Sequence, residues 1–291
     1  MSLIEKEFRA AKLNKFTLSI ENFLNSLFLR KTKFILTKPF SAIKLKSEIS
    51  HVVYLNWMVP LAKIQQFVPP GIALDPVGDH VLFSVLTYRH GHFGPAKLYH
   101  LKSLYGSPLQ SNWRLYISQT QKQFKVPTVL FLANVMSSQI YCIGSRLFSS
   151  MMYTHQPLAF QHNHIGVQTH TKITPGRSNA PDLEVVCHPC DHWNIPSQFL
   201  QLSKDINQLL NKIIIQDQAL TPLDNGLFRQ ANIALKFDPK HIRPLKIAFF
   251  KSETLADIVQ HEKCFAFEIP VVSFFMNHEK TIKLWTLSIL V

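Results

Sequence analysis

The sequence predicts a mainly β domain with a few helices, an α+β fold built on an antiparallel sheet or barrel. Of the 291 residues, 46% are hydrophobic and 17% are charged, which excludes a disordered chain and allows a sizeable core. Runs of strand length outnumber helical patterns, and no repeated strand–helix–strand rhythm is visible. We therefore predict one domain over residues 49–291, preceded by a basic amphipathic helical leader over residues 1–48.

The leader is predicted from its charge and its apolar spacing. It carries ten Lys or Arg and four acidic residues, so it holds a net +6 of the chain's +13. Apolar residues recur at helical spacing, namely Leu13, Phe16, Ile20, Phe23, Leu24, Leu27 and Phe28. Such a helix either packs on its own domain or lies on an anionic membrane surface. No nucleic-acid motif accompanies the charge, so no specific nucleic-acid partner is predicted.

The remaining elements are predicted from local composition and from the turn, cap and helix-breaking residues between them. Runs rich in apolar and β-branched residues predict strands at 52–57, 72–74, 80–88, 113–119, 126–136, 158–174 (one or two strands), 183–188, 229–237, 245–251 and 267–275. Helices are predicted at 60–67, which begins at Pro60 and ends before Pro69-Pro70-Gly71, at about 138–150, and at 203–214 with Ser203 as N-cap. Residues 89–111 are rich in His, Gly, Pro and Ser and are predicted to form a loop.

Cellular location is predicted from what the sequence lacks. Charged residues occupy the place of a signal-peptide core, and no run of about 18 apolar residues is present. The four cysteines are scattered, which fits free thiols in a reducing compartment. We expect a cytoplasmic protein, with peripheral membrane association if the leader binds lipid.

Polar and titratable side chains that could bind a ligand or transfer a proton are concentrated at the end of the strand 80–88 and in the next strand. Tyr88, Arg89, His90 and His92 stand beside two glycines, and the two imidazoles are candidate proton-transfer groups because their ordinary pKa is near neutrality. In a strand, three further polar residues share one face: Asn112, Arg114 and Tyr116. A buried Arg needs a counter-charge, which either a protein carboxylate or a bound ligand could supply.

These segments carry a resemblance. YLNWMVPLAKIQQFVPPGIAL, LTYRHGHFGP, SPLQSNWRLYI, VLFLANV, YCIGSRLFS and FAFEIPVVSF resemble the YqjF-like uncharacterised bacterial family, which is grouped by fold with acetoacetate decarboxylase. The resemblance runs from about Tyr54 to Phe275 and implies an antiparallel β-cone or barrel of the acetoacetate decarboxylase-like type around a buried pocket. It brings no assigned activity.

Decarboxylases of this fold form a Schiff base through a lysine that follows a Gly-Arg-Glu stretch. Here Gly144, Ser145 and Arg146 resemble the first part of that stretch, with Ser145 inserted, but no lysine lies between Lys125 and Lys172. Decarboxylation by that mechanism is therefore not expected. We predict a protein that binds or transforms a small apolar carbonyl or carboxylate compound, with Arg114 as the anion anchor. Asn112 and Arg146 would orient the ligand; the alternative is a peripheral membrane or interaction protein targeted by its N-terminal helix.

Metal and cofactor signals are weaker. Cys187, His188, Cys190 and His192 form a C-x-x-C with two histidines, all possible zinc ligands, but no second such pair appears. His155, His162, His164 and His170 form another cluster, in which His162 and His164 share a strand face. We predict no metal site, and because nucleotide-binding glycine motifs are missing we predict no cofactor.

Overall fold

The computed structural model describes residues 6–29, 32, 43–121, 123–149, 151, 153–223 and 226–284. The leader residues 33–42 and the apolar C-terminal end 285–291 lie outside this described part. The mainly β fold with few helices is confirmed. The helices are α1 Lys15–Leu24, α2 Leu61–Ile64, α3 Gln139–Phe148 and α4 Ile206–Ile214.

Thirteen strands form one sheet among the described residues. They are β1 Leu45–Pro60, β2 Pro76–Val77, β3 His80–Pro95, β4 Leu109–Ile117, β5 Thr128–Met136, β6 Thr154–His155, β7 Ala159–Ile165, β8 Gln168–Thr174, β9 Leu183–Pro189, β10 Gln218–Pro222, β11 Leu227–Lys236, β12 Arg243–Lys251 and β13 Phe265–Lys283.

Seven strands close into a ring of hydrogen-bonded neighbours. The order is β1-β3-β4-β5-β10-β11-β13, and β13 pairs back to β1. The pairs around this ring are antiparallel except β5 with β10. From β13 the sheet continues through β12, β9 and β8 to β7.

Two apolar cores lie on opposite faces of the ring strands. In β1, Val53, Leu55 and Trp57 join one core, while Val52 and Tyr54 join the other, because side chains alternate along a strand. The second core fills the inside of the ring. Since β4 is buried on both faces, its polar side chains have no access to bulk water.

The helix α1 begins where the sequence provides a cap. The Asn14 side chain accepts from the Thr17 amide, and the Thr17 hydroxyl accepts from the Asn14 amide, which forms a capping box. Only part of its apolar stripe is covered: Leu24 and Ile20 pack with Ile143 and Leu147 of α3. Among the described residues, no helix is long and apolar enough to cross a membrane.

Several predicted elements were wrong. The loop predicted at 89–111 is strand at both ends, because β3 continues to Pro95 and β4 begins at Leu109. Residues 72–74 form an isolated bridge at Leu74 rather than a strand. The helix at 203–214 begins later than predicted, since Asp205 rather than Ser203 caps it. The short strand β10 was not predicted.

Two glycines explain why β3 continues through its glycine-rich end. A Cβ on Gly91 would lie 2.7 Å from the Glu48 carbonyl oxygen, and one on Gly94 would overlap the Tyr105 ring. Both positions therefore exclude any larger residue. The missing side chains let β1 pack closely against Gly91 and the Tyr105 ring pack closely against Gly94.

Candidate functional site

A small cavity lies inside the ring of strands. Its volume is about 50 Å³, and aliphatic and aromatic side chains make up most of its wall. Among the described residues, none that lines it is acidic or lysine. The lining residues are Ile49, Val52, Tyr54, Leu86, Tyr88, Phe93, Gln110, Asn112, Arg114, Phe131, Gln216, Ile233, Leu235, Val272, Phe274 and Met276.

Arg114 brings a buried positive charge to this cavity. The residue is 5% exposed, and its Nη2 donates to the Ile213 carbonyl at 2.9 Å and to the Tyr116 hydroxyl at 3.3 Å. Its Nε has no hydrogen-bond partner. In the part of the chain that the structure describes, no Asp or Glu forms an ion pair with it. A guanidinium stays protonated even when it is buried, so the charge lacks a counter-ion.

Aromatic rings surround the guanidinium. Its carbon lies 5.6 Å from the Tyr54 ring centre and 5.4 Å from that of Tyr116. Such contacts offset part of the cost of burying a cation. Burial raises the pKa of Tyr54 to about 12 and also raises the pKa of Tyr88, so both phenols keep their protons at neutral pH. Protonated phenols can donate hydrogen bonds to an anion.

The amide side chains of β4 complete the polar wall. Asn112 Oδ1 is buried and has no hydrogen-bond partner. Gln110 lines the cavity and begins a series of buried hydrogen bonds. Its Nε2 donates to Asn134 Oδ1, and Asn134 Nδ2 donates to the Thr154 hydroxyl. The predicted face of β4 is thus found at the cavity: Asn112 and Arg114 line it, and the Tyr116 hydroxyl contacts Arg114.

His90 lies behind Gln110 and does not line the cavity. Its Nε2 is 2.6 Å from Gln110 Oε1 and its Nδ1 is 2.9 Å from Ser47 Oγ. Because Oε1 can only accept, we assign the proton to Nε2, and Nδ1 accepts from Ser47. Burial lowers the pKa of His90 to about 4, against a smaller opposing effect of the Gln110 hydrogen bond. The imidazole is therefore neutral near pH 7.

The other predicted site residues are dispersed. Arg89 is exposed, and His92 lies outside the cavity in a left-handed conformation (φ 55°) with its amide bound to Ser107. Arg146 is buried on α3, where its Nε donates to the Thr154 carbonyl and its Nη1 to the Lys6 carbonyl. Burial lowers the pKa of Arg146 to about 10. The Arg146 side chain therefore binds the N-terminal segment and does not line the cavity.

A larger cavity adjoins the first. It has a volume of about 420 Å³ and an apolar wall, with Gly144, Ser145 and the Glu279 side chain among its lining residues. Phe93 and Met276 line both cavities. We call the smaller one the inner cavity and the larger one the outer cavity. The outer cavity was not foreseen, because its walls come from β1, β3, α3 and β13, which are distant in sequence.

The C-x-x-C residues do not converge on one point. Cys187 is buried, and burial raises the pKa of its thiol to about 12, whereas the Cys190 thiol donates to the His192 carbonyl. Among the described residues, the group whose ligand atoms lie close enough to hold a metal ion is His51, His164 and Glu268. Sequence reasoning singled out His164 but not its two partners, which are more than 100 residues away from it along the chain.

Comparisons with known proteins agree with this architecture. The family model DUF2071, described as an uncharacterized conserved protein, matches residues 46–201. Acetoacetate decarboxylase from Legionella pneumophila superposes with a TM-score of 0.54 at 9% identity, over 83% of this chain and 88% of that one. An acetoacetate decarboxylase-like enzyme from Sphingomonas wittichii RW1 gives 0.53 at 7% identity, over 83% and 94%.

A third similar structure is the enduracididine biosynthesis enzyme MppR complexed with pyruvate. Its TM-score is 0.51 at 11% identity, over 84% of this chain and 91% of that one. At such identities the likeness shows the fold alone. No curated protein matches the chain. The predicted resemblance to an uncharacterised family related by fold to acetoacetate decarboxylase is confirmed.

Proposed function

Because the chain belongs to the DUF2071 family and has an acetoacetate decarboxylase-like fold, we propose that it binds a small carboxylate compound with an apolar body in the inner cavity. The observation that carries this proposal is the Arg114 guanidinium, which lines the cavity without an acidic partner among the described residues. A carboxylate ligand would neutralise that charge and accept hydrogen bonds from it.

The remaining polar groups would orient the ligand. The hydroxyls of Tyr54 and Tyr88 stay protonated and can donate to a carboxylate or carbonyl oxygen. Asn112 and Gln110 add amide groups on the same wall. Arg114 is held in place by Ile213 and Tyr116, so little side-chain freedom is lost when a ligand binds.

The apolar body of the ligand would extend toward the outer cavity. Phe93 and Met276 separate the two cavities, and most of the lining side chains on both sides are apolar. The inner cavity is too small for more than a head group, whereas the outer cavity has the volume of a typical ligand site. We therefore favour a monocarboxylate with an apolar tail over a compact keto acid.

Capture of a carbonyl group as a Schiff base is not part of this proposal. Among the described residues, no lysine lines either cavity. MppR binds pyruvate within the same fold, which makes pyruvate a suitable probe for this chain as well. We propose non-covalent binding, in which Arg114 takes the carboxylate.

The test compares an acid with its neutral amide. Calorimetry would give the affinities of hexanoate and hexanamide for the wild type, for Arg114→Met and for the control Arg89→Met, which removes an exposed arginine outside the cavity. A charge-assisted hydrogen bond is worth about 1.5–3 kcal/mol, so hexanoate should bind about tenfold or more tightly. That preference should disappear in Arg114→Met and persist in Arg89→Met. An equal preference in all three proteins would refute the proposal.

A second candidate function rests on helix α1. Apolar side chains that α1 and its flanks leave exposed include Phe16 at 68% and Phe23 at 50%, besides Leu13, Leu27 and Phe28. Lys12 and Lys15 stand exposed beside them. Apolar rings flanked by lysines suit an anionic membrane surface.

Co-sedimentation with phosphatidylserine-containing vesicles tests this candidate. The double variant Phe16→Ser/Phe23→Ser should lose vesicle binding, and Val167→Ser, an exposed apolar residue elsewhere (76%), should retain it. Equal binding by both variants would remove the membrane function.

A further inference from the structure

Three metal-binding side chains meet on the outer face of the ring. They are His51 of β1, His164 of β7 and Glu268 of β13, and their ligand atoms all lie within 4.8 Å of one another. His51 Nδ1 is 3.1 Å and His164 Nε2 is 3.7 Å from Glu268 Oε1. Because Phe267 and Ile269 on either side of Glu268 belong to the inner core, Glu268 faces away from the inner cavity.

The Glu268 carboxylate is buried without a permanent positive partner. Its side chain is 7% exposed, and within the described part of the chain its ion-pair partners are His51 and His164, which carry charge only when protonated. A buried carboxylate needs a compensating cation. A divalent metal ion supplies that charge while both imidazoles remain neutral ligands.

Surrounding hydrogen bonds orient the His164 ring and fix the His51 backbone. Thr169 Oγ1 lies 3.1 Å from His164 Nδ1, and a proton held there leaves the Nε2 lone pair directed at Glu268. His162 Nε2 lies 2.7 Å from the His51 carbonyl oxygen, to which it donates. His51 itself has φ 54°, in a break of the β1–β3 register between Ser50 and Val53. Such a conformation is uncommon for a residue with a side chain and recurs at functional sites.

We propose that His51, His164 and Glu268 bind a divalent first-row transition-metal ion, and that Zn²⁺ fits the site. Two nitrogens and one carboxylate oxygen are a known ligand set for zinc. Bonds of about 2.0–2.1 Å in tetrahedral geometry separate ligand atoms by roughly 3.4 Å, and the 3.1 and 3.7 Å distances bracket that value. The side chains of His51 and His164 are 46% and 29% exposed, so the fourth position is open to water.

The ion would tie a peripheral strand to the ring. Strand β7 stands at the end of the strand path, where its ladder partner is β8. A metal ion held by His164 on one side and by His51 and Glu268 on the other connects β7 directly to β1 and β13. Metal binding should therefore stabilise the fold as well as fill the site.

Zinc and cobalt titrations of tag-free full-length protein test the proposal. Zinc affinity is measured by competition with a chromogenic chelator, and the visible absorption of added Co²⁺ reports tetrahedral coordination. The variants are His164→Ala and Glu268→Gln. The matched control is His170→Ala, which removes another histidine bound to a glutamate (3.1 Å from Glu184) in the adjacent strand. A second control is Cys190→Ser, which disrupts the C-x-x-C.

The wild type should bind one Zn²⁺, show tetrahedral Co²⁺ bands and unfold at a higher temperature when zinc is added. His164→Ala and Glu268→Gln should each weaken zinc binding by about 100-fold or more, beyond the 10- to 100-fold typical of changing a residue that only hydrogen-bonds a metal ligand. Both controls should bind like the wild type. The proposal is overturned if the wild type binds no zinc, if His170→Ala weakens binding as much as His164→Ala, or if only Cys190→Ser abolishes it. Circular dichroism of the zinc-free variants shows whether each has folded.

Discussion

Replacing Arg114 by Met should stabilise the ligand-free protein while it removes anion binding. Arg114 is a buried cation with no acidic partner in the described part of the chain, and burying an unpaired charge costs several kcal/mol. Its hydrogen bonds and its contacts with two tyrosine rings offset only part of that cost.

Removing the hydrogen bond from Arg114 to the Ile213 carbonyl costs little stability, because that carbonyl keeps a second hydrogen-bond donor. The Tyr116 hydroxyl donates to the same carbonyl oxygen at 3.0 Å, so that oxygen is not left unsatisfied. Met fills most of the space of the arginine stem without a charge. We expect the free energy of unfolding to rise by about 1–3 kcal/mol, because the desolvation penalty of a buried ion is several kcal/mol and Arg114 has no acidic partner among the described residues to lose.

Urea denaturation of the ligand-free proteins measures this difference, with Arg229→Met as the contrast. Arg229 is equally buried, but its Nε donates to Glu279 at 3.1 Å, so its removal breaks a buried ion pair. That variant should lose about 3–5 kcal/mol. If Arg114→Met is instead destabilised by 2 kcal/mol or more, Arg114 is a structural cation and the reasoning from an uncompensated charge is wrong.

Three further results are expected. Incubation with pyruvate and borohydride should add no mass to the protein, because no lysine lines either cavity among the described residues; a covalent adduct seen by mass spectrometry would contradict non-covalent binding. Met276→Ala should join the two cavities and raise the affinity for octanoate relative to hexanoate, and an unchanged ratio in calorimetry would argue against a tail directed there. The pKa of His90 is lowered to about 4 by burial, so the unfolded chain binds the extra proton first and stability falls as the pH drops from about 6.5 to 4. His90→Gln should make that fall shallower by up to about 1.4 kcal/mol per pH unit, which urea titrations at several pH values would detect.

Local patterns predicted the strands that form the inner wall. The alternation in β4 located Asn112, Arg114 and Tyr116 on one face, because side-chain direction in a strand follows from sequence spacing alone. Long apolar runs likewise predicted β5 and most of β3. These features depend on residues within one element.

Features that depend on contacts between distant elements could not be predicted. The glycine-rich end of β3 has the composition of a loop, but pairing with β1 on one side and hydrogen bonds to Gly106 and Pro108 on the other keep it extended. Arg146 resembles a site residue in sequence, yet its partners are the Lys6 and Thr154 carbonyls. The group of His51, His164 and Glu268 joins three strands that are neighbours only in the folded chain.

A crystal structure of the protein with hexanoate tests the central claim most directly. The proposed function predicts a carboxylate oxygen about 2.7–2.9 Å from a guanidinium nitrogen of Arg114, with the tail pointing toward Phe93 and Met276. Hexanoate found only in the outer cavity, with no carboxylate contact to Arg114, would contradict it.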